Sequence, residues 1–174
     1  IRAAGRSELR GPEWNGSVDG KMAQLLLCDQ LSRNAFRGLR EAFAFDERAT
    51  SLARELSAAL LSDAPSGQDA LPGEFFPPYL IFLMTAFMHS ERVDDHVQLG
   101  RVLDHSQAHS PAILDDWFAQ MRQGGEAPAR GVNRFGRYPH RNAALGRTST
   151  EEEAAWLADV DNLPGWARSQ MSRG

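Results

Sequence analysis

Apolar residues recur along this chain at intervals of three and four, the spacing that gathers them on one face of an α-helix. Met22, Leu25, Leu26, Leu31 and Ala35 carry that pattern through a first predicted helix over about 20–36, with Gly38 placed to end it. Asp46 is a fitting N-cap for a second helix, in which Ala49, Leu52, Ala53, Leu56, Leu60 and Leu61 follow at helical spacing. Residues 63–69 break the pattern, and Pro77 and Pro78 then open a third, mostly apolar helix that ends near His89 and Ser90. Val93, Val97, Val102 and Leu103 mark a fourth over 92–105. Ser110 and Pro111 start a fifth, carrying Ile113, Leu114, Trp117, Phe118 and Met121, which Gly124 and Gly125 are expected to stop. The capping box Thr150-Glu151-Glu152-Glu153 starts a last helix through Ala158, with its glutamates at the positive end of the helix dipole.

No run of alternating residues competes as a strand. The reading is an all-α fold of antiparallel helical hairpins, one domain over 1–174. Residues 1–16 are expected to be irregular because Gly5, Gly11, Pro12 and Gly16 interrupt them. Residues 131–147 are expected to be a structured loop shaped by Gly136, Pro139 and Gly146.

Composition supports a folded chain: 174 residues, 42% hydrophobic and 24% charged. The longest apolar run, 79–88, is about half of the roughly 20 residues a bilayer span requires, so no membrane span is expected. No apolar stretch follows the early arginines, so no secretory leader is expected, and Ile1 in place of Met points to a start further upstream. The single cysteine, Cys28, sits among leucines and reads as a small buried hydrophobe, the alternative being a nucleophile. A cytoplasmic location follows from these readings.

Charge is unevenly spread. The chain carries −4 overall, yet residues 130–147 hold five arginines and no acid, while 41–129 hold five basic and fourteen acidic groups. The acidic balance and the shortness of the basic stretch make nucleic acid an unlikely partner.

Four segments together carry a resemblance: LCDQLSRNAFRG at 27–38, AFAFD at 42–46, HSE at 89–91, and RFGRYPHRN at 134–142 followed by LGRTSTEE at 145–152. Their order and content resemble the bacterial domain-of-unknown-function family 924, over about residues 14–157. The resemblance implies a tetratricopeptide-like helical fold and no particular activity. It also implies an additional helical stretch at the start of family members, which this sequence is expected to lack. His96 stands where the family often has Gln, and Pro128 where many members have His.

Three groups of polar residues are candidates for function. Asp29, Arg33 and Arg37 are spaced by four and so fall on one helical face, with Asp29 able to pair with Arg33. His89 and Glu91 follow the most apolar helix and read either as helix capping or as an acid–base pair. Arg134, Arg137, His140, Arg141, Asn142 and Arg147 crowd the Gly/Pro-shaped loop. That loop docks either on acids such as Glu91, Asp94 or Asp29, or on an anion that the planar guanidinium fork suits. No cofactor or metal is expected: His105 and His109 have zinc-helix spacing, but Ser106 stands where the zinc-protease motif has its catalytic Glu. Two functions fit. One is a scaffold holding an anionic peptide or small ligand; the other is an enzyme acting on an acidic small molecule with His/Glu acid–base groups.

Overall fold

The structure, a computed structural model, describes residues 1–9, 11–62, 76–159 and 162–163. Every regular element among them is helical. By their contacts the residues form two compact units: Ile1–Ala35 with Glu41–Ser90, and Phe36–Arg40 with Glu91–Gly174.

The first unit opens with two short helices, α1 (Arg2–Gly5) and α2 (Pro12–Asn15), where an irregular segment was expected. Pro12 starts α2 because its fixed φ and missing N–H suit a first helical turn. α3 (Val18–Leu26) is capped by Ser17, whose side chain accepts from the Gly20 amide. A π turn (Leu27–Leu31) joins it to α4 (Ser32–Ala35). The expected apolar face survives only in part: Met22 and Leu25 are buried, whereas Leu31 is 47% exposed. From the π turn onward the buried positions are Cys28, Asp29, Ser32 and Arg33. The wide i→i+5 turn shifts the register, so the stripe turns from apolar to polar as it advances.

α5 (Asp46–Leu60) starts where expected, but Asp46 is its first residue and does not cap it; Phe45 holds the cap position. The Asp46 carboxylate is instead taken by Arg33. α5 buries Ala49, Leu52, Ala53 and Leu56, packing on α3 and on α6 (Phe76–Met88). Leu80, Leu83 and Phe87 complete this core at no more than 1% exposure, so each adds roughly 1.5–3 kcal/mol of burial. The expected break at 63–69 lies outside the described residues.

The second unit is built on the pair α7 (Val93–Ala108) and α8 (Asp115–Phe135). Leu99, Val102, Leu103, Phe118 and Val132 form its core, while Val93 and Val97, expected on the apolar face, are exposed. α8 does not stop at Gly124 and Gly125; it runs through both and through Pro128. Apolar positions from Phe118 to Val132 hold it together, and burial outweighs the roughly 1 kcal/mol each glycine costs a helix interior. The loop expected at 131–147 is therefore shorter. It starts at Gly136, which ends α8 at φ 67°, and includes a 3-10 turn (Pro139–Arg141) and α9 (Asn142–Leu145). The capping box forms as expected at α10 (Glu151–Ala158), with Thr150 accepting from the Glu153 amide.

Candidate functional site

In the first unit the polar residues at the π turn form a buried cluster. Asp29 is fully buried, Arg33 6% exposed and His89 8% exposed. His89 Nδ1 lies 2.6 Å from Asp29 Oδ1, and Arg33 Nε lies 3.2 Å from the same oxygen. Arg33 Nη2 donates to Asp46 Oδ1 at 2.8 Å, and its guanidinium sits over the Phe43 ring. Gln30 donates to Asp29 and to Thr85 Oγ1. Burial works to raise the Asp29 carboxyl, but the charges of His89 and Arg33 and the hydrogen bonds it accepts outweigh it and hold the carboxyl well below the usual range. An ionised Asp29 requires the proton of the 2.6 Å contact to sit on His89 Nδ1. Arg33 Nε, 3.0 Å from that protonated nitrogen, then donates to Asp29.

Arg37 does not share this face. α4 ends at Ala35, so Arg37 lies in the following turn and is exposed. The carboxylate that meets His89 is that of Asp29; Glu91 is engaged elsewhere.

In the second unit Glu91 accepts from Arg147 through both oxygens, at 2.8 and 2.9 Å, and from the Tyr138 amide at 2.8 Å. Burial pushes its carboxyl up, but these bonds and the charges of Arg141 and Arg147 hold it below the ordinary value. Arg137 binds both oxygens of Glu153 at 2.6 and 2.8 Å. Glu153 also accepts from Asn142 and from the Thr150 amide. Led by the Arg137 contact, these donors set its carboxyl at about 2 despite burial. Arg134 pairs with Glu152 and lies over the Phe135 and Trp156 rings. Arg141 lies over the Tyr138 ring at 4.5 Å, and His140 is buried with its ring centroid 5.2 Å from that of Tyr138. The arginine loop is thus largely neutralised from within its own unit, by Glu91, Glu152 and Glu153.

The family profile of a bacterial protein of unknown function, DUF924, matches residues 1–161. The chain belongs to this family. The match reaches beyond the 14–157 over which the motifs carried the resemblance. A solved structure of a protein of unknown function from Agrobacterium tumefaciens, ATU0120, is similar to this DUF924 chain. The two are 28% identical with a TM-score of 0.61, and the likeness covers 90% of this chain and 76% of that one. A search of the curated proteins finds no match.

The sequence of this DUF924 chain does not reveal Asp46, Glu152 and Glu153 as members of the polar clusters, because each is explained by its place at a helix start. The signal for Glu153 was present in the capping box: a carboxylate fixed by its own helix start is pre-oriented for a second partner. Among the described residues no three His, Cys, Asp or Glu side chains gather to hold a metal ion. His105 and His109 stack on each other, their ring centroids 4.3 Å apart. No helix among the described residues is long and apolar enough to cross a membrane.

Proposed function

We propose that this DUF924 protein is a helical scaffold that binds a small anionic molecule, or an anionic peptide, through Arg141 and Arg147 of its 136–147 loop. The observation that carries this reading is the state of Arg147. Its two terminal nitrogens hold Glu91, but its Nε is buried and meets no hydrogen-bond partner among the described residues. A buried N–H left unanswered costs about 1–3 kcal/mol, and a carboxylate or phosphate oxygen is the acceptor that suits it. Arg141 also bears on Glu91, so one carboxylate serves two guanidinium groups. Asn142 Oδ1, in the same loop, is likewise buried without a partner among the described residues, which suits a ligand with a hydroxyl or protonated oxygen. Arg134 and Arg137, taken up by Glu152 and Glu153, are supports of this loop and not ligand contacts.

A thermal-shift series with phosphate, succinate and citrate tests the reading, each compared with sodium chloride at equal ionic strength. A saturable rise in Tm with at least one probe, absent in Arg147→Lys, supports it, since lysine keeps the charge and loses the fork. No rise above the chloride control with any probe overturns it.

A second reading rests on the 2.6 Å contact between His89 and Asp29. A buried carboxylate held against an imidazole is a recurrent acid–base arrangement, and π turns are frequent at functional sites. On this reading the protein is an enzyme acting on an acidic small molecule. Turnover of any member of a panel of acidic esters, amides and phosphomonoesters, lost in His89→Gln, supports it; an inactive wild type counts against it. Both readings set the protein in the cytoplasm, where the lone buried Cys28 stays reduced. The α7–α8 hairpin supports a tetratricopeptide-like arrangement.

A further inference from the structure

We propose that the groove between α7 and α8 is a separate binding site, for a small amine with an apolar aromatic or alkyl body. It lies within the second unit and has a volume of about 200 Å³. Leu99, Leu103 and Met121 supply apolar wall, and Gly100 and Gly125 face the same space.

The two glycines are not there to let the helices touch. A Cβ built on Gly100 would meet nothing within 4 Å, and one on Gly125 would meet only Leu99 Cδ2 at 3.7 Å. Each costs a helix interior roughly 0.5–1 kcal/mol relative to alanine, with no close approach of backbones in return. What their missing side chains leave is open volume. An apolar cavity of about 150 Å³ takes benzene, so this groove has room for a ring with a short side chain.

Charge at the rim selects the head group. Arg122 and Glu126 both line the groove, but Arg122 Nη2 donates to Asp104 at 2.8 Å. Glu126 makes no ion pair among the described residues, so the unanswered charge at the rim is negative. His96 closes one end, set edge-on to Tyr138 with its ring centroid 6.4 Å away. An ammonium group beside Glu126 with its carbon body between Leu103 and Met121 satisfies both features. An anionic head would instead face Glu126.

The test is titration of the protein with benzylamine, benzyl alcohol and benzoate, followed by amide NMR shifts and calorimetry. Benzylamine is expected to bind saturably, with its largest shifts over residues 96–129. Benzyl alcohol should bind about threefold more weakly, the worth of one exposed charge pair, and benzoate more weakly still. Gly100→Leu fills the groove with a better helix former. It should keep or raise Tm while weakening benzylamine at least about tenfold. Glu126→Gln changes an exposed side chain and should bring benzylamine and benzyl alcohol to equal affinity. Absence of saturable benzylamine binding overturns the proposal. So does unchanged affinity in Gly100→Leu, or a preference for amine over alcohol that survives in Glu126→Gln.

Discussion

Glu91 and Arg147 meet in a fork-to-fork pair, and the same carboxylate accepts the Tyr138 amide while Arg147 donates to the Tyr138 carbonyl. Side chain and backbone are thereby fixed together: the pair holds both backbone groups of Tyr138, one in each of two successive peptide units. Removing Glu91 takes away the acceptor for three donors at once. Glu91→Ala is expected to lower stability by about 3 kcal/mol, the cost of breaking a largely desolvated pair. Urea denaturation checks this, and a loss under about 0.5 kcal/mol would mean the loop holds without it.

Acid should loosen the second unit over a defined range. Glu153 ordinarily titrates at 4.5 and is held at about 2, chiefly by Arg137. A carboxyl depressed in the folded state contributes stability that is complete above 4.5 and is lost as pH falls towards 2. Glu91, in the same unit, is depressed as well and acts in the same direction, and Asp29 does so in the first unit. The urea midpoint should fall between pH 4.5 and 2.5, and Glu153→Gln should fall less steeply over that interval. Parallel curves for the two proteins would refute the assignment to Glu153.

Asp29 holds the buried cluster of the first unit. Asp29→Asn leaves Arg33 and His89 facing a neutral amide in the interior, and is expected to cost about 3–5 kcal/mol. His89→Gln, which can still hydrogen-bond to Asp29, should cost less. Equal losses in the two variants, read by calorimetry, would show that geometry and not charge sets the stability here.

Two glycines separate the effects of space and of backbone conformation. A Cβ at Gly20 would lie 2.0 Å from the Glu13 carbonyl oxygen, a backbone atom that cannot swing aside. Gly136 has φ 67° and open space around it. Gly136→Ala should therefore cost only the left-handed strain, about 1–2 kcal/mol. Gly20→Ala must push α2 off α3 and should cost more. The reverse order of Tm values would contradict both accounts.

The helices were legible wherever a local rule and the packing agree. Thr150 and Glu153 announced α10 because a capping box is decided within four residues. Gly124 and Gly125 misled because their cost is local, while the burial of Phe118 and Val132 that overrides it depends on α7. The polar site was half legible. Spacing gave the Asp29–Arg33 pair, but the pairing of Asp29 with His89 joins positions sixty residues apart, which periodicity does not reach. Arg37 was placed by extending a helix past its end. The partners of Arg134 and Arg137 were hidden because Glu152 and Glu153 already had a sufficient reason to be where they are.

The turn at Leu27–Leu31 gives the helix through Val18–Ala35 a change of phase part-way along. Deleting one residue there would restore an unbroken ladder and rotate one half against the other by about 100°. Met22 and Leu25 on one side, or Ser32 and Arg33 on the other, would then swing out of the interior. A single surplus residue is what lets hydrocarbon and charge occupy the same side of one rod.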